Sequence, residues 1–123
     1  MKNLLKKFVE AFGPAGNEDS IREIIKGEIN PFVDEIKVDT LGNLIAIRHG
    51  NGPRVMIAAH MDEIGVIVTH IDEKGFLRFS NIGGISPHML IGQRVIFSNG
   101  TVGTFGMEKL DEIKDLNINK MFI

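Results

Sequence analysis

Hydrophobic positions return at helical spacing near the amino terminus and then switch to alternation, and that change of period divides the chain into its elements. Leu4, Leu5, Phe8, Val9 and Phe12 recur at helical intervals until Gly13-Pro14 stops the pattern, which predicts a short amphipathic helix with its lysines facing water. Asn17 before Glu18 and Asp19 predicts a second helix start, because an Asn side chain can cap free amides while acids favour the positive end of the dipole. Ile21, Ile24, Ile25 and Ile29 form its apolar stripe, and Asn30-Pro31 closes it, since a residue preceding proline is pushed out of helical geometry. From Val33 to Asp39 the period is two, a strand leading into the turn-like Thr40-Leu41-Gly42-Asn43. Leu44 to His49 reads as a second strand and Gly50-Asn51-Gly52-Pro53 as a sharp turn. Val55-Met56-Ile57-Ala58-Ala59 reads as a third strand, apolar on both faces, which belongs in the middle of a covered sheet.

Beyond Gly65 every segment up to about Met107 reads as a short strand with hairpin punctuation. Asp72-Glu73-Lys74-Gly75 separates Val66 to Ile71 from Phe76 to Phe79, and Asn99-Gly100 separates Arg94 to Phe97 from Thr101 to Phe105. The expected organisation is therefore an α/β portion over residues 1–65 followed by an all-β portion over residues 66–123, with no linker, repeat or low-complexity tract between them. Leu116 to Ile123 reads as a strand ending on apolar residues with no polar tail, which raises the expectation that both portions are truncated.

Composition narrows the function classes. Apolar residues make up 43% and charged residues 24% of the 123, which is globular rather than disordered. The net charge is -2 with no basic stripe, and Trp and Tyr are absent, so nucleic acid is not an expected partner. No cysteine is present, which removes disulfides, thiolate nucleophiles and thiolate-bound zinc, and fits a reducing cytoplasm. Glu10 interrupts the basic start before any secretory-type apolar run, and no segment approaches the roughly 20 apolar residues a spanning helix needs, so no membrane role is expected.

The chemistry is concentrated at His60. It directly follows the apolar segment, and the carboxyl end of a central strand is where open α/β sheets bind ligands. In an extended chain residues i and i+2 point the same way, so the Asp62 carboxylate can accept the imidazole N–H, fix its tautomer and raise the basicity of the other nitrogen. Glu63 points the opposite way. That pair serves a metal-bound histidine or a hydrogen-bonded histidine with no metal, and one histidine falls short of the three or four ligands zinc requires. His49, His70 and His88 read as solvated or locally bonded, and Asp39 as a turn residue that could approach the same sheet edge. Gly13-Pro14-Ala15-Gly16 and Gly83-Gly84 lack a phosphate-loop pattern, and no serine has nucleophile-elbow context.

Several of these stretches carry a resemblance to the prokaryotic two-metal peptidases called glutamyl or tetrahedral aminopeptidases, some of them once described as endoglucanases. Residues 55–65, Val-Met-Ile-Ala-Ala-His-Met-Asp-Glu-Ile-Gly, resemble the family's first metal motif. Phe12 to Glu18 resembles its opening Gly-rich loop, and Asp39 to Leu44 its Asp-x-x-Gly-Asn-Leu turn. Gln93-Arg94-Val95 and Asp115-Leu116 are similar to residues of its β domain. The resemblance implies that His60 binds one of two divalent ions, zinc or cobalt, and that Asp62 is the active-site carboxylate orienting it. It further implies a peptide substrate, removal of amino-terminal residues, and homo-oligomers formed through an inserted β-barrel-like domain. The bridging Asp, the Glu base and the remaining ligands of the family have no counterpart here, so the isolated polypeptide is expected to be inactive. Two rivals stand beside this reading: a non-catalytic assembly module that keeps the subunit-contact β domain, and a small hydrolase with one metal held by His60 plus His70 or His88.

Overall fold

The computed structural model describes residues 1–123 and divides them into two compact units, Met1–Glu63 and Ile64–Ile123. The first unit opens with α1 (Lys2–Val9) and α2 (Asp19–Ile29) and continues with a 3-10 turn (Asn30–Phe32) and the antiparallel ribbon β1 (Glu35–Val38) and β2 (Leu44–Ile47). Lys7 on α1 reaches Glu28 on α2, and Ile21 is the most buried apolar side chain of the unit. The helix start differs in detail from the Asn17 cap expected. Glu18 occupies the cap position and caps nothing, because its carboxylate accepts the Gly16 N–H (2.6 Å) and faces Arg22. Asn17 instead donates its own N–H to Pro14, closing a turn. Arg22 then ties α2 to the β1–β2 turn, its Nε donating to the Gly42 carbonyl at 2.9 Å. Gly42 must be glycine there: its φ is +88°, and a Cβ would lie 2.9 Å from the Arg22 guanidinium. Asp39 fills the same turn, accepting from the amides of Leu41 and Asn43 and from the Asn43 side chain, and that last bond leads in holding its carboxyl below the usual range.

The apolar segment 55–59 departs from expectation. It is neither a strand nor covered: no main-chain to main-chain hydrogen bond involves residues 50–62, and Val55, Met56 and Ile57 are 81%, 90% and 93% exposed. The reason is the absence of a neighbour. A strand is defined by the edge it pairs with, and the turn at 50–53 does not fold the segment back onto β2. Leaving three such side chains in water forgoes roughly 1.5–3 kcal/mol apiece.

The second unit is built from hairpins, as the turn signals indicated. β3 (Gly65–Ile71) pairs with β4 (Leu77–Ile82), with a bulge between Val68 and His70. β5 (Arg94–Ile96) pairs with β6 (Val102–Thr104), and β7 (Gly106–Met107) with β8 (Met121–Phe122). Residues 87–90 form the short helix α3 (Pro87–Leu90), where proline suits the first turn. The expected terminal strand is broken by a 3-10 turn (Ile118–Lys120), held by the Asn117 side chain accepting from the Asn119 amide, and only its end pairs as β8. Phe79, Phe105, Leu116 and Met121 make the core, with Phe79 and Phe105 edge to face at 5.1 Å. The pairings of this unit are three two-stranded ribbons rather than a closed ring of strands, with Leu77 of β4 and Ile123 exchanging two backbone hydrogen bonds.

Arg78 on β4 clasps the carboxyl-terminal segment, pairing with Glu108 at 2.8 Å and approaching the Asn119 and Met121 carbonyls at 3.4 Å. The Arg78 hydrogen bond holds the Glu108 carboxyl below its ordinary range, with Lys120 adding a smaller pull. A carboxylate whose folded-state pKa is depressed stabilises the fold above its unfolded value and loses that contribution as pH falls through the folded one. Glu108→Gln is therefore expected to lower the denaturation midpoint at pH 7. The difference from wild type fades below the ordinary Glu pKa of about 4.3 and vanishes below the depressed one, as urea unfolding across pH would measure.

Candidate metal-binding segment

His60 lies at the end of the uncovered segment and is 86% exposed. Its Nδ1 is 3.1 Å from Asp62 Oδ1 and 3.0 Å from the Asp62 carbonyl oxygen. Both partners are acceptors, so the proton must sit on Nδ1, and the neutral ring then carries its free lone pair on Nε2. The expected i, i+2 pairing is present, and it leaves an outward imidazole nitrogen of the kind metals take.

The segment is held in place just beyond Asp62. Glu63 and Gly13 exchange two bonds: the Glu63 amide donates to the Gly13 carbonyl (2.9 Å), and the Gly13 amide donates to the Glu63 carboxylate (3.1 Å). A parallel bridge between Pro14 and Glu63 extends the contact. Gly13 is buried against Ile21, whose Cγ2 would lie 2.7 Å from a Cβ there, so only glycine lets the loop sit this close to α2. Sequence reading missed this latch and assigned Glu63 no task. The partners are fifty residues apart, and no local spacing pairs them. A groove of about 710 Å³ adjoins the segment, lined largely by apolar residues of α1 and α2, including Leu4, Phe8 and Ile25, and by Ala59, His60 and Asp62.

The other candidates lie elsewhere. Asp39 is committed to its turn. His49 donates its Nε2–H to the Glu35 carboxylate (2.8 Å), and its amide donates to Asp34. His70 lies on β3 and His88 in α3. Nowhere does the chain gather three or more His, Asp or Glu side chains able to hold a metal ion.

The sequence profile of M42 glutamyl aminopeptidases matches residues 42–122. The chain belongs to the M42 glutamyl aminopeptidase family. A relative from Acetivibrio thermocellus that carries an aminopeptidase name is 60% identical across the whole chain, which covers 38% of that protein. The lysyl aminopeptidase of Pyrococcus furiosus is 42% identical over 91% of the chain and 34% of its own length. The solved TET aminopeptidase from a marine sediment archaeon of the Thaumarchaeota superposes with a TM-score of 0.88 at 36% identity, over 98% of this chain and 37% of that one. The chain thus spans little more than a third of the length of these three relatives, and its fold is part of such an α/β architecture. The His60 to Asp62 pair lies inside the matched region.

One consequence of the geometry is measurable without metal. Long-range proton–nitrogen NMR is expected to find neutral His60 protonated on Nδ1. In Asp62→Ala the Nε2-protonated form should rise, because the ring loses the acceptor that selects its tautomer.

Proposed function

We propose that this chain is the amino-terminal part of a metal-dependent aminopeptidase that removes amino-terminal residues from peptides in the cytoplasm. The observation that carries the reading is the His60 Nδ1 to Asp62 bond, which leaves Nε2 unprotonated at the end of the motif segment. In this proposal His60 supplies one metal ligand and Asp62 is its positioning carboxylate. The residues present fit one ligand position and no more, since a catalytic zinc takes three protein ligands. Two divalent ions, zinc or cobalt, would polarise the peptide carbonyl and acidify a bound water in the complete enzyme. What this chain does toward that chemistry is narrower: it holds the imidazole in one tautomer, and through Glu63 and Gly13 it fixes the backbone that presents it.

Residues 1–65 would open the catalytic domain, and residues 66–123 would begin an inserted β-barrel-like domain serving subunit contacts. A solved relative described as a dodecamer, and the TET1 peptidase of Pyrococcus horikoshii, described as assembling into a tetrahedron or a large octahedral shell, support homo-oligomers for the complete protein.

A chimera tests the assignment. Residues 1–123 replace the corresponding part of the Acetivibrio thermocellus relative, and turnover of amino-acid p-nitroanilides is followed with added zinc or cobalt. The parent chimera is expected to be active and His60→Ala to lose activity. Asp62→Asn is expected to fall about 10–100-fold in activity or metal affinity. Full activity in His60→Ala would exclude the proposed role.

A further inference from the structure

We infer that Asn51-Gly52 is a site of spontaneous modification, at which the chain converts its own asparagine to isoaspartate and aspartate with water as the co-reactant. The inference is independent of the aminopeptidase reading, because it uses only the turn that follows β2.

The sequence holds two Asn-Gly pairs, Asn51-Gly52 and Asn99-Gly100. In such a pair the glycine amide nitrogen lies within reach of the asparagine side-chain carbonyl carbon, and the glycine carries no side chain to hinder the approach. Both pairs are exposed, and beyond the chain neighbours no atom lies within 4 Å of the place a Cβ would take on either glycine. Solvent access and crowding do not separate the two.

Hydrogen bonding does. The Gly100 amide donates to the Phe97 carbonyl at 2.8 Å, and the Asn99 side-chain oxygen accepts from the Thr101 amide at 3.0 Å. Gly100 also stands at a φ of +83°, in the turn that joins β5 to β6. The attacking nitrogen and the side chain it would attack are both tied into one hairpin turn. Asn51-Gly52 has no such ties. No main-chain to main-chain bond involves residues 50–62, the Asn51 side chain bonds to no group of the chain, and glycines flank it on both sides. The torsions that bring the Gly52 nitrogen to Asn51 Cγ are free to form.

The step balances without any oxidant or reductant. The Gly52 nitrogen gives its proton to hydroxide and bonds to Asn51 Cγ. The Cγ–Nδ2 bond breaks, and the side-chain nitrogen leaves as ammonia after taking a proton from water. Water then opens the cyclic imide at either carbonyl. Attack at Cγ gives aspartate, and attack at the Asn51 main-chain carbonyl carbon gives isoaspartate, whose main chain runs through Cγ. In sum, water is consumed and ammonia released. Either product adds one negative charge to the net -2, and isoaspartate lengthens the main chain by a methylene group between β2 and His60.

Ageing the purified chain in mildly alkaline buffer, followed by tryptic digestion and mass spectrometry, tests the inference. Cleavage after Arg48 and Arg54 isolates Asn51, and cleavage after Arg94 and Lys109 isolates Asn99, so each peptide holds a single asparagine. Asn51 is expected to be lost faster than Asn99 by roughly tenfold or more, since ring closure at Asn99 must first break two turn hydrogen bonds. Isoaspartate is expected in the product, read by enzymatic methylation of its carboxylate. In urea the turn bonds are gone, and the two rates are expected to converge to within a few-fold. Gly52→Ala meets no clash and no positive φ, and is expected to slow the loss of Asn51 while leaving that of Asn99 unchanged. Equal rates in the folded chain, a rate ratio that persists in urea, a product without isoaspartate, or undiminished loss of Asn51 in Gly52→Ala would each overturn the inference.

Discussion

The exchange of hydrogen bonds between Gly13 and Glu63 is the constraint on which the functional end of the molecule depends. Residues 50–62 make no main-chain to main-chain bonds, so the position of His60 and Asp62 is set by the anchor immediately after them. That anchor is possible because Gly13 has no side chain to collide with Ile21, the most buried apolar side chain of its unit. A buried contact between a loop and a helix thereby fixes an exposed imidazole, and the Asp62 carboxylate selects which of its nitrogens is left free.

Family membership and geometry meet at this point. The M42 match places the His60 to Asp62 segment within a peptidase family, while the chain's own side chains gather no second or third ligand around it. What the molecule shows is an imidazole, the carboxylate that orients it and the Gly13–Glu63 mount behind them; their part in an active centre is the proposal. The uncovered apolar segment leading into His60 carries the same message in packing terms, because its exposed faces call for layers that these 123 residues do not contain.

What could be read from the sequence follows from the range of each interaction. The two helices, the Asp39 to Asn43 turn and the hairpins around Asp72 to Gly75 and Asn99-Gly100 depend on neighbours a few residues away, and periodicity and turn chemistry reported them. The His60 to Asp62 bond was legible for the same reason, as an i, i+2 pair. Residues 55–59 were read as a covered strand because composition reports the environment a segment suits; only a partner can provide that environment. The Gly13 latch, the Arg78 clasp and the pairing that ends in β8 join distant parts of the chain, and no local pattern encodes them. Helix α3 and the turn at Ile118–Lys120 are single turns too short for a periodic signal.

The central claim is that this chain holds one metal ligand and its positioning carboxylate, and lacks the rest of the centre. Metal content after dialysis of the isolated 123-residue chain against zinc or cobalt, measured by elemental mass spectrometry, tests it most directly. The account predicts that no ion is retained stoichiometrically. Two ions retained per chain, and lost in His60→Ala, would contradict it.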